Sequence, residues 1–189
     1  MDLVKKTAIE DVLLITPRRF SDDRGFFSET YNARALEAEG FRQTFVQDNH
    51  SLSLEKGTVR GLHYQAPPAA QAKLVRASRG AVLDVAVDIR VGSPTFGQHV
   101  IELLSAENGA QLYVPEGFLH GFVTLESETE VQYKVSDFYS AEHDGAVMWN
   151  TEALSINWGI DAAKAVLSEK DAKATPWEKF SSPFKYQQP

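Results

Sequence analysis

A chain of 189 residues is the length of one domain, or of one domain with an arm. Its apolar fraction of 43% is enough for a real core, and its net charge of −7 argues against nucleic-acid binding. The absence of cysteine excludes disulfides, zinc–thiolate sites and thiol nucleophiles. An anionic small ligand is still compatible with this charge if cationic side chains gather locally.

The opening residues Met1-Asp2-Leu3-Val4-Lys5-Lys6 have no apolar stretch behind them and do not read as a signal peptide. The longest apolar runs are too short to span a bilayer. The expectation is a soluble, cytoplasmic protein with no membrane partner. Short runs rich in Val, Ile, Leu, Phe and Tyr then recur at 12–15, 25–31, 44–53, 59–65, 73–78, 81–89, 96–104, 111–114, 118–125 and 130–138, separated by Gly, Pro, Asp and Asn. Many short strands with regular turn signals predict a mainly β fold, a jelly-roll barrel with a few short helices. One helix is predicted over 33–39, with Asn32 as its N-cap and Gly40 as its terminator. A second starts at Ser168, has Glu169 and Asp171 in its first turn, and stops before Pro176. The polar tail 181–189 is expected to be mobile. With no repeat and no linker, the chain reads as one domain with its core over about 3–175.

Two segments carry the chemistry. Gly57-Thr58-Val59-Arg60-Gly61-Leu62-His63-Tyr64-Gln65 puts a histidine on a strand whose one face holds Val59, Gly61, His63 and Gln65. Pro115-Glu116-Gly117-Phe118-Leu119-His120-Gly121-Phe122 repeats a turn followed by a strand bearing a histidine. If the faces carrying Asp84 and Tyr133 turn the same way, one barrel interior gathers His63, Asp84, His120 and Tyr133, and such a barrel can hold one small ligand. Arg60 and His63 are three apart, so a regular strand separates them. A bulge at Gly61 would reunite them, or Arg60 would act from the rim or across a dimer interface.

These segments resemble the two motifs of the cupin family. Gly57 and His63 fit the first, but Gln65 stands where a second histidine is expected and Ala69 or Ala70 where a glutamate is. Pro115, Gly117 and His120 fit the second. Two imidazoles alone make a poor metal site, and Asp84 would have to complete it. No metal is therefore expected, and His63 reads as a general base, a role that a neutral imidazole suits at physiological pH. Tyr133 can donate a phenolic proton, and Lys73 can stabilise an oxyanion. Asp84 and Asp171 both remain candidates to orient His63.

Further motifs extend the resemblance. Ser21-Asp22-Asp23-Arg24-Gly25-Phe26-Phe27-Ser28-Glu29, Phe45-Val46-Gln47-Asp48-Asn49-His50-Ser51, Arg60 to Gln65, Lys73-Leu74-Val75-Arg76, Asp84 to Arg90, Ser93-Pro94-Thr95-Phe96-Gly97 and Pro115 to Phe122 are similar to the dTDP-4-dehydrorhamnose 3,5-epimerase family. The similarity runs in order over about 3–175. It implies a cofactor-free homodimer that converts dTDP-4-dehydro-6-deoxy-D-glucose to dTDP-4-dehydro-L-rhamnose for dTDP-L-rhamnose biosynthesis. A single-position (C3 or C5) epimerase of a related dTDP-4-keto-sugar is the first alternative, and a metal-dependent cupin oxygenase or isomerase the second. It also implies roles: His63 as base, Asp171 as its orienting carboxylate, Tyr133 as acid and Lys73 as enolate stabiliser. Arg24, Glu29, Gln47, Asn49, Arg60, His120, Asp144 and Lys170 would bind the nucleotide sugar. On spacing alone, Asp84 is as plausible a partner for His63 as Asp171; the resemblance favours Asp171.

Overall fold

The computed structural model describes residues 3–187. Thirteen strands follow one another: β1 (Val4–Lys6), β2 (Leu13–Ile15), β3 (Arg19–Asp22), β4 (Gly25–Ser28), β5 (Gln47–Ser53), β6 (Val59–Gln65), β7 (Lys73–Arg79), β8 (Ala81–Asp88), β9 (His99–Ser105), β10 (Gln111–Val114), β11 (Phe118–Thr124), β12 (Thr129–Val135) and β13 (Asp144–Ala146). Two short helices, α1 (Ala33–Ala38) and α2 (Glu169–Ala172), complete the set with three 3-10 turns. No helix among the described residues is long and apolar enough to cross a membrane.

Eleven of the strands form two antiparallel sheets, ordered β1-β2-β10-β7-β12-β5 and β13-β6-β11-β8-β9, which is the mainly β, cupin-type architecture expected. Between them lies a core of Val75, Val82, Ala86, Val100, Leu104, Leu112, Phe118, Phe122 and Val131, with Tyr133 packed against it. Alternation explains the membership: on β8, Val82 and Ala86 face this core while Val85 and Val87 face a second one. That second core lies on the outer face of the five-stranded sheet. There Leu62, Val85, Ile89, Leu119 and Val123 are covered by Trp149, Leu154, Trp158 and Phe184 from the C-terminal segment. The central strands β8 and β11 are therefore buried on both faces, which is why their sequences are almost continuously apolar.

The tail departs from expectation. Phe184 is 9% exposed, Val91 and the backbone of Phe184 and Tyr186 exchange hydrogen bonds of 3.0 Å, and Ser182 Oγ donates to the Ile89 carbonyl. Over 182–186 the tail is thus a strap on the barrel rather than a mobile end; its apolar anchor is Phe184, one aromatic among polar neighbours. The other end carries the reverse feature. Strands β3 and β4 pair only with each other, and their hairpin exposes Phe20, Phe26 and Phe27 by 51%, 59% and 65%.

Candidate active site

The site begins with a register irregularity. His63 pairs with His120 and Arg60 with Phe122, so β6 spends three residue steps where β11 spends two. This is the bulge at Gly61, and the extra residue brings Arg60 and His63 back to the same cavity. Glycine is required there: φ is +134°, and an added Cβ would stand 2.5 Å from the Cα of Gly121. Arg60 is anchored across to β5, with Nη2 donating to the Leu52 carbonyl at 3.0 Å and Nε to Ser53 Oγ at 3.1 Å.

His63 Nε2 lies 2.5 Å from Asp171 Oδ1. Helix α2 delivers this carboxylate. Ser168 caps the helix by accepting from the Asp171 amide at 3.1 Å, and its hydroxyl donates to Asp171 Oδ2 at 2.8 Å. Burial opposes ionisation of Asp171, but the His63 hydrogen bond and charge outweigh it. With help from Ser168 and the Gly61 amide they hold the carboxyl below the usual range. An ionised Asp171 only accepts, so the His63 hydrogen sits on Nε2 and the Nδ1 lone pair is free.

The second histidine has its own carboxylate. His120 Nε2 is 2.9 Å from Asp84 Oδ1, and Asp84 is fully buried. Burial pushes the His120 pKa down against the pull of Asp84, so the ring is neutral at physiological pH. Of the two carboxylates the spacing left open, Asp171 meets His63 and Asp84 meets His120. Among the described residues no three His, Asp or Glu side chains are placed to hold a metal ion.

A cavity of about 350 Å³ is lined by Arg60, His63, Lys73, His120, Tyr133 and Asp171, with Ser51, Phe122, Leu167 and Ser168 filling its wall. His63 comes from the five-stranded sheet, whereas Lys73 on β7 and Tyr133 on β12 come from the six-stranded one. Burial lowers the Lys73 pKa from 10.5 to about 8, with Asp84 and Asp144 opposing and Lys170 assisting the drop. Burial also raises the Tyr133 pKa, which Arg60 partly offsets, so the phenol keeps its proton.

A second cavity of about 230 Å³ shares His63, Lys73 and Tyr133 and continues past Gln47, Asn49, Asp144, Lys170 and Tyr139. Gln47 Nε2 donates to Asn49 Oδ1 at 2.8 Å, as their shared strand face requires. Lys170 pairs with Asp144, and the exposed Tyr139 hydroxyl donates to the same carboxylate at 3.3 Å. Ten of the twelve expected site residues therefore surround one connected space. Arg24 and Glu29 do not join it. Arg24 sits on the β3–β4 hairpin, paired with Asp22 at 2.6 Å, and Glu29 accepts from Asn32 Nδ2 at 2.8 Å in a separate cleft. Tyr139 and Gln65 also belong to the cavity wall. Tyr139 lies in an irregular loop with no periodicity to place it, and Gln65 stands where a cupin would have a metal ligand.

The family model for dTDP-4-dehydrorhamnose 3,5-epimerase matches residues 6–179. A dTDP-4-dehydrorhamnose 3,5-epimerase from Pseudomonas aeruginosa is 56% identical over 167 residues, covering 88% of this chain and 91% of that one. The structure of the Bacillus anthracis enzyme of that name, with TDP and PPi bound, superposes with a TM-score of 0.88 at 50% identity, covering 92% of this chain and 98% of that one. The Legionella pneumophila dTDP-6-deoxy-D-glucose-3,5-epimerase, in complex with dTDP-4-keto-L-rhamnose, superposes with a TM-score of 0.91 at 42% identity over 98% of both chains. This chain belongs to the dTDP-4-dehydrorhamnose 3,5-epimerase family.

Proposed function

We propose that this protein inverts C3 and C5 of dTDP-4-dehydro-6-deoxy-D-glucose to give dTDP-4-dehydro-L-rhamnose. The observation that carries the reading is the Asp171–His63 pair on one wall of the cavity, with Tyr133 and Lys73 on the opposite sheet. A sugar between the walls presents one face to a base and the other to an acid.

Hydrogens at C3 and C5 are acidified by the C4 ketone. His63 Nδ1 takes such a proton, and the ionised Asp171 stabilises the imidazolium that forms. The electron pair moves onto the C4 oxygen, where the Lys73 ammonium compensates the charge. With a pKa of about 8 that ammonium is mostly charged at neutral pH. Tyr133 then returns a proton to carbon from the other face. One proton leaves and one arrives at each centre, so no atom changes oxidation state and no redox cofactor is called for. Exchange with solvent restores His63 and Tyr133 for the second inversion.

Arg60 and Lys170 supply local positive charge for a diphosphate against a net charge of −7. Gln47, Asn49 and Asp144 offer polar contacts at that end, and His120, neutral and held by Asp84, faces the sugar. The TDP and PPi bound in one solved relative and the dTDP-4-keto-L-rhamnose bound in the other support a nucleotide-sugar ligand. Arg24 and Glu29 enter the same reading through a homodimer. The unpaired hairpin with three exposed phenylalanines suits burial against a second copy, which would carry Arg24 to the partner's cavity. A cytoplasmic location, where thymidine nucleotides are available, completes it.

The test is turnover in D2O followed by NMR of the product. Deuterium at both C3 and C5 is expected. Label at one carbon alone makes the protein a single-position epimerase, and no label removes the proton-transfer account.

A further inference from the structure

We infer that Gln65 is a positioning residue that holds the Tyr139 loop over the nucleotide end of the cavity. The inference rests on the epimerase reading of that cavity. Gln65 is 5% exposed at the end of β6, and its side-chain amide is fully engaged. Nε2 donates to the Phe138 carbonyl at 2.9 Å and to the Ala69 carbonyl, while Oε1 accepts from the Ser140 amide at 2.9 Å. One planar amide thus grips the backbone on both sides of Tyr139, as a neighbouring strand would. It also ties that loop to the loop after β6 through Ala69.

Phe138 and Tyr139 are 64% and 61% exposed, and no sheet pairing covers residues 136–143. The ends of the loop are tied by backbone bonds, Ser136 N to the Ala72 carbonyl at 3.0 Å and Ala66 N to the His143 carbonyl at 2.8 Å. Between them Gln71 Nε2 reaches the Asp137 carbonyl at 2.7 Å, Gln47 Oε1 accepts from the Tyr139 amide at 3.3 Å and the Tyr139 hydroxyl donates to Asp144 at 3.3 Å, while Gln65 holds the two residues that flank Tyr139. The chemistry demands an amide at 65: two carbonyls need donors and one N–H needs an acceptor. A carboxylate supplies no donor, and an apolar side chain supplies neither. Both polar atoms of Gln65 are spent on the backbone, so it reaches the substrate through the loop rather than by direct contact. An aromatic ring on a held loop binds with less ordering cost than one on a free loop.

The experiment is a double-mutant cycle on KM and kcat for dTDP-4-dehydro-6-deoxy-D-glucose with wild type, Gln65→Met, Tyr139→Ala and the double variant. Gln65→Met is expected to raise KM about tenfold and to leave kcat within about twofold, since the proton-transfer groups are untouched. The double variant is expected to be no worse in KM than Tyr139→Ala, because Gln65 acts through that loop. Calorimetry with dTDP should show a matching loss of affinity. KM effects that add, or a KM that stays at the wild-type value while only the melting temperature falls, overturn the inference. Gln65→Glu, nearly isosteric but without donors, serves the same cycle should the methionine variant fail to fold. If wild-type protein itself does not turn over this substrate, the epimerase reading falls instead, and the dTDP titrations still decide the role of Gln65.

Discussion

Replacing Lys73 by methionine should make the protein more stable and inactive. Lys73 stands in the cavity with its pKa lowered from 10.5 to about 8, chiefly because burial disfavours the ammonium. A pKa lowered by about 2.5 units means that the folded state holds the charged lysine about 3 kcal/mol less well than the unfolded chain does. The sign follows from proton counting. Between about pH 8 and 10.5 the unfolded chain binds the proton and the folded one does not, so stability rises with pH across that window. Below it the full penalty applies. Methionine keeps the apolar stem and removes the penalty, but Asp84 and Asp144 lose the cation that Lys73 sets near them. The expected net gain at about pH 7 is on the order of 1–3 kcal/mol, measured by urea unfolding at fixed protein concentration. At about pH 10 the gap should shrink by roughly 2 kcal/mol. Turnover should fall by about two to four orders of magnitude, since the C4 oxyanion loses its counter-charge. A variant less stable than wild type at neutral pH, or a gap that does not change with pH, refutes the account of a functional charge kept at a structural cost.

Asp171→Asn should lower kcat by about 10²–10⁴ while dTDP affinity stays within about threefold, read by steady-state kinetics and calorimetry. The amide cannot stabilise an imidazolium, and its NH2 facing Nε2 would drive the hydrogen to Nδ1, where the base must be free. A variant retaining half the wild-type rate removes the dyad from the mechanism. Mixing two inactive variants, Arg24→Ala and His63→Ala, tests the shared cavity. If the hairpin serves the partner, subunit exchange restores a mixed dimer with one intact site, and about a quarter of the wild-type activity at full exchange. Recovery of none, with dimers shown to exchange, places Arg24 outside the partner's site.

The sheets were legible because burial leaves a period in the sequence. Strands β8 and β11 are buried on both faces and read as apolar runs, and β12 alternates Val131 and Tyr133 toward the core. What escaped was short or polar. Strands β1, β3 and β13 have three or four residues each, too few for a period, and Arg19–Asp22 is mostly polar. The strap over 182–186 escaped because a single buried aromatic does not distinguish a docked segment from a loose one. Within the site, the partner of His63 was not decidable from spacing. Asp171 lies 108 residues away, and only the placement of α2 against β6 selects it over Asp84. The Gly61 bulge was open for a related reason: the close approach of Gly121 on another strand, which demands glycine there, is encoded in no local pattern.

Of the four positions where a cupin would gather metal ligands, two here are histidines, His63 and His120, one is Gln65 and one is Ala69 or Ala70. In a metal site a histidine commonly gives its second nitrogen to a carboxylate, which fixes the ring and leaves the first nitrogen to the ion. His63 with Asp171 and His120 with Asp84 have that arrangement, and it serves proton transfer equally well. A base also needs one nitrogen held and one free, aimed at a fixed point in a cavity. The difference lies at the third position. Gln65 turns its amide to the backbone of two loops, so it puts no polar atom into the cavity that His63 and His120 line. A donor facing inward there would compete for that space. An amide that satisfies three backbone groups has no polar atom left for the cavity, so a side chain at position 65 cannot both hold the two loops and face a ligand there.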